Sequence, residues 1–251
     1  MKIVATIEGR LNSKRLPGKL IMPLGKSNIL DFLIKRLKKV KSIDEIIVAT
    51  TKKKIDDKLV DIAKKNKIKF YRGSNSNVLK RVYEAAKNLK AEAVVQVSGD
   101  SPLTDYEMIK KWIKIFKKKK PDILSEFWGN LPSGITAPII KIDALKKSLD
   151  KNKNKKDLEH VTKFIFSNPK IFNVLFYKNK VGERYPELHL CVDELNDYNL
   201  VNHIVTNNKN NKLVCKDLIM YIKNNNHLLN INKKVFRKSN KEHQEYQKVN
   251  Y

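Results

Sequence analysis

The stretch that decides the fold is Ile3-Val4-Ala5-Thr6-Ile7, followed at once by a polar loop from Gly9 to Lys19. Five consecutive apolar or β-branched residues are typical of a strand that is buried on both faces of a sheet. Apolar residues then recur at helical spacing between Ile29 and Val40, with Ser27 as the predicted N-cap. A strand, a loop and a helix in this order predict the first unit of an α/β fold.

The same alternation continues through the first hundred residues. Further strands are predicted at Ile46–Ala49, Ile68–Tyr71 and Ala93–Val97, and helical spacing separates them. Strands that alternate with helices predict a parallel, doubly wound sheet, whose ligands bind outside the carboxyl ends of the strands. The loops after Ile7 and Val97 both lie at that edge.

The second half is less regular. It predicts a strand from Gly134 to Ile142, a helix near Ala144 to Leu149 and another from Leu158 to Phe166, and it contains the apolar run Leu188 to Val192. Because neither an internal repeat nor a long linker is visible, we expect residues 1–251 to form one domain with a C-terminal elaboration.

The charge of the chain is strongly positive: 53 Lys and Arg stand against 26 Asp and Glu, a net charge of +27 over 251 residues. Only seven of the 53 are Arg, whereas proteins that read nucleic-acid bases favour Arg and aromatic residues. Excess Lys on solvated surfaces is the preferred explanation. Attraction of a small anionic substrate and nucleic-acid binding remain as alternatives.

The cellular setting follows from what the sequence lacks. Its apolar runs are shorter than the ~18 residues of a membrane span. Glu8 and Arg10 interrupt the N-terminal apolar run too early for a signal peptide. With only Cys191 and Cys215, a disulfide framework is excluded. We therefore expect a cytoplasmic protein that does not bind membranes.

The loop after the first strand carries four cations, Arg10, Lys14, Arg15 and Lys19. Backbone amides and cations at this edge of a sheet suit a polyphosphate. The glycine spacings of a Walker loop and of a dinucleotide fingerprint are both absent. The loop predicts a phosphate site, with an ordinary surface loop as the alternative.

Two aspartates follow apolar runs and are candidate metal ligands. Asp100 lies in a Gly-Asp-Ser-Pro turn after the fourth strand, and Asp193 follows Val192. Two carboxylates near a phosphate site would suit Mg²⁺. A turn aspartate that caps the next helix is the alternative for Asp100. Cys191 has no base partner in the sequence and is interpreted as an inert thiol.

These residues belong to a longer series of motifs, which resembles one family. The segment from Ile7 to Lys19, with its Arg15-Leu16-Pro17-Gly18-Lys19 element, resembles the signature of cytidylyltransferases, both the spore-coat polysaccharide branch and the 3-deoxy-manno-octulosonate cytidylyltransferases. The remaining motifs follow in the family's order: Ile46–Thr50, Arg72–Ser74, Asn77–Arg81, Gly99–Leu103, Glu159–Thr162, Asn168–Pro169 and Val192–Asp193.

The resemblance implies a Rossmann-like, mostly parallel sheet of the nucleotide-sugar transferase type and a homodimer. It divides the domain into a nucleotide-binding half (about 1–125), an acceptor and dimer half (about 126–205) and a C-terminal extension (about 206–251). It implies a cytidylyltransferase that uses CTP and Mg²⁺ to activate a sugar acid or a small phosphate for surface polysaccharide or capsule synthesis.

The resemblance also assigns roles to single residues. The catalytic residues would be Arg15, Lys19 and Asp100, and the metal ligands Asp100 and Asp193. The nucleotide-binding residues would be Gly9, Arg10, Ser13, Arg15, Lys19, Arg72, Ser74 and Ser98. The acceptor-side residues would be Trp128, Ser133, His160 and Arg184, although His160 could equally be a packed or capping histidine.

Glu8 and Gly9 depart from the Gln and Ala of the spore-coat branch, next to the implied base pocket. The base preference therefore stays open, and transfer from another NTP is one alternative function. A non-catalytic, basic nucleic-acid-binding protein is the other.

Overall fold

A computed structural model describes residues 1–127, 130–152, 154–179, 181–208 and 212–235. The strands are β1 (Ile3–Glu8), β2 (Pro23–Leu24), β3 (Ser27–Asn28), β4 (Glu45–Thr51), β5 (Lys69–Gly73), β6 (Ala93–Ser98), β7 (Ile123–Glu126), β8 (Ile139–Lys141) and β9 (Val174–Tyr177). The α-helices are α1 (Ile29–Leu37), α2 (Asp57–Lys65), α3 (Val78–Asn88), α4 (Tyr106–Lys119), α5 (Ile142–Lys151), α6 (Lys163–Phe166), α7 (Leu195–Asn207) and α8 (Cys215–Asn224). The 3-10 helices are Lys19–Ile21, Lys54–Asp56, Lys155–Glu159, Val181–Glu183 and Asn226–Ile231.

Seven strands form one sheet in the order β5-β4-β1-β6-β8-β7-β9. The pairs β5–β4, β4–β1, β1–β6 and β7–β9 are parallel, and β8 is antiparallel to both of its neighbours. The predicted α/β fold with a mostly parallel sheet is confirmed. Strands β2 and β3 form a separate antiparallel pair.

Helices cover both faces of the sheet, as the apolar strand β1 predicts. Ile3, Ala5 and Ile7 pack under α1, α2, α4, α7 and α8, whereas Val4 packs under α3, α5 and α6. All four side chains are fully buried. Because neighbouring parallel strands end at the same edge, β1 and β6 bring the loops after Glu8 and Ser98 together.

The second half differs from its predicted elements. The strand expected at Gly134–Ile142 is only Ile139–Lys141, because the backbone of Ser133 pairs with Leu188 and Leu190 instead of a sheet strand. The run Leu188–Val192 lies outside the seven-stranded sheet, and the bridge between Ser133 and His189 and the bond from the Val192 amide to the Asp100 carbonyl join it to the rest of the fold. The helix expected at Leu158–Phe166 is a 3-10 turn followed by α6.

Arg36 is a charged residue inside the apolar side of α1, and only 3% of it is exposed. Its guanidinium donates to the carbonyls of Thr104 (3.1 Å), Lys212 (3.0 Å) and Leu213 (2.8 Å). Burial lowers the pKa of Arg36 to about 10, so the side chain stays charged at neutral pH. It therefore fixes the chain after the Asp100 turn to the segment that leads into α8.

We expect Arg36→Leu to lower the free energy of unfolding by about 3 kcal/mol, because several buried carbonyls lose their donor. Urea denaturation followed by circular dichroism measures the change. Lys114→Ala, on the exposed side of α4, is the control and should stay within about 0.5 kcal/mol of the parent. Equal stabilities of the Arg36 and Lys114 variants would contradict this role.

Candidate active site

The central feature of the candidate site is the ammonium group of Lys19, which lies between two carboxylates. Lys19 Nζ is 2.6 Å from Asp100 Oδ2 and 3.0 Å from Asp193 Oδ1, and it also donates to the carbonyl of Val192 at 2.7 Å. Arg15 reaches the same oxygen of Asp193 at 2.9 Å. The structure thus brings four residues that the sequence singled out into direct contact.

Local backbone geometry explains how Lys19 reaches this position. Gly18 adopts a left-handed conformation (φ 73°), as the Pro-Gly pair predicts, and its amide donates to the carbonyl of Leu11 at 2.8 Å. The chain turns directly into the short helix Lys19–Ile21. At the other end of the loop, a Cβ on Gly9 would lie 2.4 Å from Cδ1 of Leu20, so a larger residue there would require the Leu20 side chain to move.

The electrostatics of the cluster are those of a mutually stabilised ion network. Burial alone would lower the pKa of Lys19, but Asp100 and Asp193 outweigh it and hold the pKa above its ordinary value. Burial alone would raise the pKa of Asp100, but the Lys19 ammonium and the Ser98 hydroxyl outweigh it and hold the pKa below its ordinary value. Lys19 and Asp100 therefore stay charged at neutral pH.

Ser98 supports Asp100 directly. Its hydroxyl donates to Asp100 Oδ1 at 2.6 Å, which leaves Oδ2 to face Lys19. The Asp100 carbonyl accepts from the Val192 amide at 2.8 Å and so ties the first aspartate to the strand-like run before the second. Ser98, expected near the base and ribose, is thus also a positioning group for Asp100.

Asp193 is held by a residue that the sequence analysis did not select. Asp197 is fully buried, and its Oδ2 accepts from the amides of Asp193 (3.2 Å) and Glu194 (3.1 Å) at the start of α7. Its other oxygen accepts from Asn232 at 2.9 Å. Glu194 and Asp197 form a capping box, a pattern visible in the sequence as two acids three residues apart before a helix.

Asp56 is a second supporting residue that was missed. It is 1% exposed, and its Oδ1 accepts from the Leu11 amide at 2.7 Å, which anchors the beginning of the basic loop. Thr51 donates to its other oxygen. The separation of 45 residues between Asp56 and Leu11 left no local signal of this contact.

The remaining predicted nucleotide residues lie in the loop after β1, on β5 and in the loop after β5. Arg10 donates to the carbonyl of Asn75 at 3.1 Å and joins the basic loop to the loop before α3. Ser74 Oγ accepts from the Asn77 amide at 3.0 Å. Arg72 bonds to Asp57 and to the carbonyls of Thr51 and Lys53, so it braces the turn after β4.

Ser13 lies half-buried within the basic loop itself.

The predicted acceptor residues are dispersed. Ser133 lies beside the aspartate cluster, since its hydroxyl is 3.3 Å from the sulfur of Cys191. His160 is exposed after the 155–159 turn, which excludes the packed alternative, and Arg184 is exposed after the 181–183 turn. Trp128 lies outside the described residues.

Cys191 has the character expected of an inert thiol. Its sulfur lies between the hydroxyls of Ser133 and Ser101. Burial raises the pKa of this thiol to about 11, and the negative charge of Asp100 adds to the effect. The thiolate needed for nucleophilic attack is therefore scarce at neutral pH.

The donor set of the cluster fits a hard divalent cation. Carboxylate oxygens of Asp100 and Asp193 both contact the Lys19 ammonium, so they lie close enough to share one cation. In proteins, Mg²⁺ binds to one or two carboxylates together with water and substrate phosphates. In the part of the chain that the structure describes, no group of three or more His, Cys, Asp or Glu forms a fuller cage. The residues therefore suit a cation that is shared with a phosphate ligand.

Sequence comparisons relate the whole chain to known proteins. It is 34% identical over 245 residues to the uncharacterized protein MJ1063 of Methanocaldococcus jannaschii, covering 98% of this chain and all of that one. It is 29% identical over 209 residues to the spore coat polysaccharide biosynthesis protein SpsF of Bacillus subtilis, with 78% and 83% covered. A 3-deoxy-manno-octulosonate cytidylyltransferase of Flavobacterium johnsoniae is 32% identical over 130 residues, about half of each chain.

Solved structures of cytidylyltransferases are also similar to this chain. A cytidylyltransferase from Leptospira borgpetersenii superposes with a TM-score of 0.88 at 28% identity, and the match covers 94% of this chain and all of that one. A CMP-2-keto-3-deoxy-manno-octonic acid synthetase in complex with CTP shares the fold at a TM-score of 0.58 and 13% identity, over 74% and 93% of the two chains.

No helix in the described ranges has both the length and the apolar character needed to cross a membrane.

The model of the cytidylyltransferase family matches residues 4–235, which include the whole Lys19–Asp100–Asp193 cluster. The chain therefore belongs to the cytidylyltransferase family and is a nucleotidyltransferase.

Proposed function

We propose that this protein transfers a cytidylyl group from CTP to a small acceptor, with Mg²⁺, for the synthesis of a surface polysaccharide or capsule. The observation that carries the proposal is the contact of Lys19 with both Asp100 and Asp193, with Arg15 beside it. Cations and paired carboxylates at the carboxyl edge of a parallel sheet are what nucleotidyl transfer requires.

In the proposed reaction, an oxygen of the acceptor attacks the α-phosphorus of CTP. A bond from this oxygen to phosphorus forms, the bond from the α-phosphorus to the bridging oxygen breaks, pyrophosphate leaves, and the proton of an attacking hydroxyl group is released to water. No covalent bond to the protein is needed, so the protein contributes position and charge.

The residues of the basic loop would hold the triphosphate. Arg15 is half-exposed and Lys19 is buried beside it, so a phosphate can approach Arg15 from solvent and meet Lys19 behind it. Arg10 draws the loop toward Asn75 and narrows the cleft in which the nucleoside would lie. Gly9 and Ser13 belong to the same loop; the Gly9 amide donates to the Ala49 carbonyl at 3.3 Å, and Ser13 would present its backbone amide to the phosphates.

Mg²⁺ held by Asp100 and Asp193 would neutralise the charge that develops on the phosphates. Ser98 orients the first of these carboxylates and Asp197 fixes the backbone of the second. Both supports are hydrogen bonds within the protein itself, which reduces the reorganisation needed on binding.

The acceptor is proposed to be a sugar acid that reacts through a hydroxyl group. A phosphate acceptor would need a second cluster of cations, for which Lys141, Lys163 and Arg184 are candidates in the sequence. Lys141 pairs with Asp122 at 3.2 Å and Lys163 with Asp157 at 2.8 Å. Two of the three cations are thus already neutralised by carboxylates, which argues against a phosphate acceptor. Relatives named for a sugar acid also support a sugar-acid acceptor.

A pyrophosphate-release screen tests the proposal directly. Each of CTP, UTP, GTP and ATP is combined with Mg²⁺ and with panels of sugar acids, sugar phosphates and other small phosphates. We expect release with CTP and at least one sugar acid. Absence of release with every nucleotide, together with RNA or duplex binding that weakens steeply with salt, would favour the nucleic-acid-binding alternative.

We expect Asp100→Asn to lower kcat/KM for CTP by at least about a hundredfold, because one of two charged metal ligands is lost. The assay is pyrophosphate release at saturating acceptor. Asp150→Asn, which removes an exposed aspartate paired with Lys146, is the control and should retain parental activity. Full activity of the Asp100 variant would refute the metal assignment.

Lys19→Met should change activity and metal affinity in opposite directions. Activity falls because the phosphates lose a cation, whereas the affinity of the nucleotide-free protein for Mn²⁺ rises by about tenfold, because two carboxylates lose the ammonium that neutralises them. Isothermal titration with Mn²⁺ measures the second effect. Lys14→Met in the same loop is the matched control, and an unchanged Mn²⁺ affinity in both variants would contradict the prediction.

A further inference from the structure

Glu8 ends β1 with its side chain on the face of the sheet that α3 covers, the face that Val4 also occupies. Its Oε1 accepts a hydrogen bond from the side-chain amide of Gln96 on β6. Its Oε2 is shielded from solvent and has no hydrogen-bond partner within the described part of the chain. Buried polar atoms are usually paired, so an unpaired carboxyl oxygen at a ligand-binding edge needs an explanation.

Two arginines near Glu8 bond to the backbone of the surrounding loops. On one side, Arg10 of the basic loop donates to the carbonyl of Asn75. On the other, Arg81 of α3 is 2% exposed and donates to the carbonyls of Ala49 (3.2 Å) and Ser74. Glu8 therefore lies between the basic loop and the loop before α3.

The charged groups that face Glu8 are few. Arg81 faces it from α3 and Asp100 from the turn after β6. The neighbouring strand β4 places the apolar Ala49 in register with it. Arg81 is bound to two carbonyls, and Glu8 Oε2 is left without a partner of its own.

We propose that Oε2 of Glu8 contacts the Watson–Crick edge of the nucleotide base and makes Glu8 the residue that favours cytosine over uracil. The inference rests on the proposed function, because it takes the triphosphate to lie at Arg15 and Lys19. From there the nucleoside extends along the cleft toward Ser74 and Asn75, past Glu8.

The chemistry of the carboxyl group agrees with this choice. Burial raises the pKa of Glu8 to about 8, although Gln96 and Arg81 oppose the effect. At neutral pH the group is therefore protonated. Because Oε1 accepts from Gln96, Oε2 carries the proton and donates it in a hydrogen bond. Cytosine presents an acceptor at N3 to such a donor, whereas uracil presents a competing N3–H.

Above the pKa of Glu8, the preference for cytosine over uracil should weaken. An ionised Oε2 accepts a hydrogen bond from the N3–H of uracil, and it loses the bond that it donated to N3 of cytosine. A glutamine at position 8 can donate through its amide at every pH, so Glu8→Gln should keep the preference and remove its pH dependence.

The test measures the dissociation constants of CTP and UTP with Mg²⁺ by isothermal titration, without acceptor, from pH 6.5 to pH 9. For the parent protein we expect CTP to bind about tenfold more tightly than UTP at pH 7, and the ratio to fall above pH 8. Glu8→Gln should hold the ratio constant with pH, and Glu8→Leu should reduce it to about one. Thermal melting verifies that the variants fold; if Glu8→Leu does not, the comparison of the parent with Glu8→Gln decides.

Glu126→Gln is the matched control. Glu126 is also a buried carboxyl at the end of a strand, its Oε2 also lacks a partner, and burial also raises its pKa to about 8. This variant should keep both the parental ratio and its pH dependence. A CTP-to-UTP ratio that is unchanged in Glu8→Leu, or equally pH-dependent in the parent and in Glu8→Gln, would overturn the inference. If the parent binds neither nucleotide, the proposed function fails instead.

Discussion

The structure depends on one electrostatic constraint, the burial of the Lys19 ammonium between two carboxylates. A buried cation is costly unless it is fully paired, and here Asp100, Asp193 and the carbonyl of Val192 all contact it. Asp100 lies 81 residues away along the chain, Val192 lies 173 away and Asp193 lies 174 away. The ion network therefore requires that the loop after β1, the turn after β6 and the start of α7 meet at one point.

The rest of the fold provides that meeting point. Strands β1 and β6 are parallel neighbours, so Lys19 and Asp100 follow strands that end at the same edge. Asp193 reaches this edge by another route. The backbones of Leu188 and Leu190 form hydrogen bonds with the backbone of Ser133, and the Val192 amide donates to the carbonyl of Asp100. Supporting residues then fix each charged group: Asp56 holds the basic loop, Ser98 holds Asp100 and Asp197 holds Asp193. The geometry is thus set by hydrogen bonds within the protein.

The large positive charge of the chain has little part in this arrangement. Lys117, Lys118 and Lys119 in the last turn of α4, for example, are exposed. The groups that form the cluster include one lysine and one arginine, and both face carboxylates. Net charge was therefore a weak indicator of function. The position of a few cations relative to the sheet edge was a strong one, because a field that acts on a phosphate depends on distance and burial.

The sequence by itself determined the α/β class, the order of the first strands and helices, the left-handed Gly18 and the residues of the ion cluster. These features depend on local periodicity, on turn chemistry and on motifs, which a linear sequence contains. Only the tertiary structure decided that Asp100 and Asp193 share one ammonium group, that Asp56 and Asp197 act as supports and that Ser133 pairs with Leu188 instead of extending β8. Each of these is a contact between distant segments, and its free energy depends on burial and mutual geometry that no local pattern specifies.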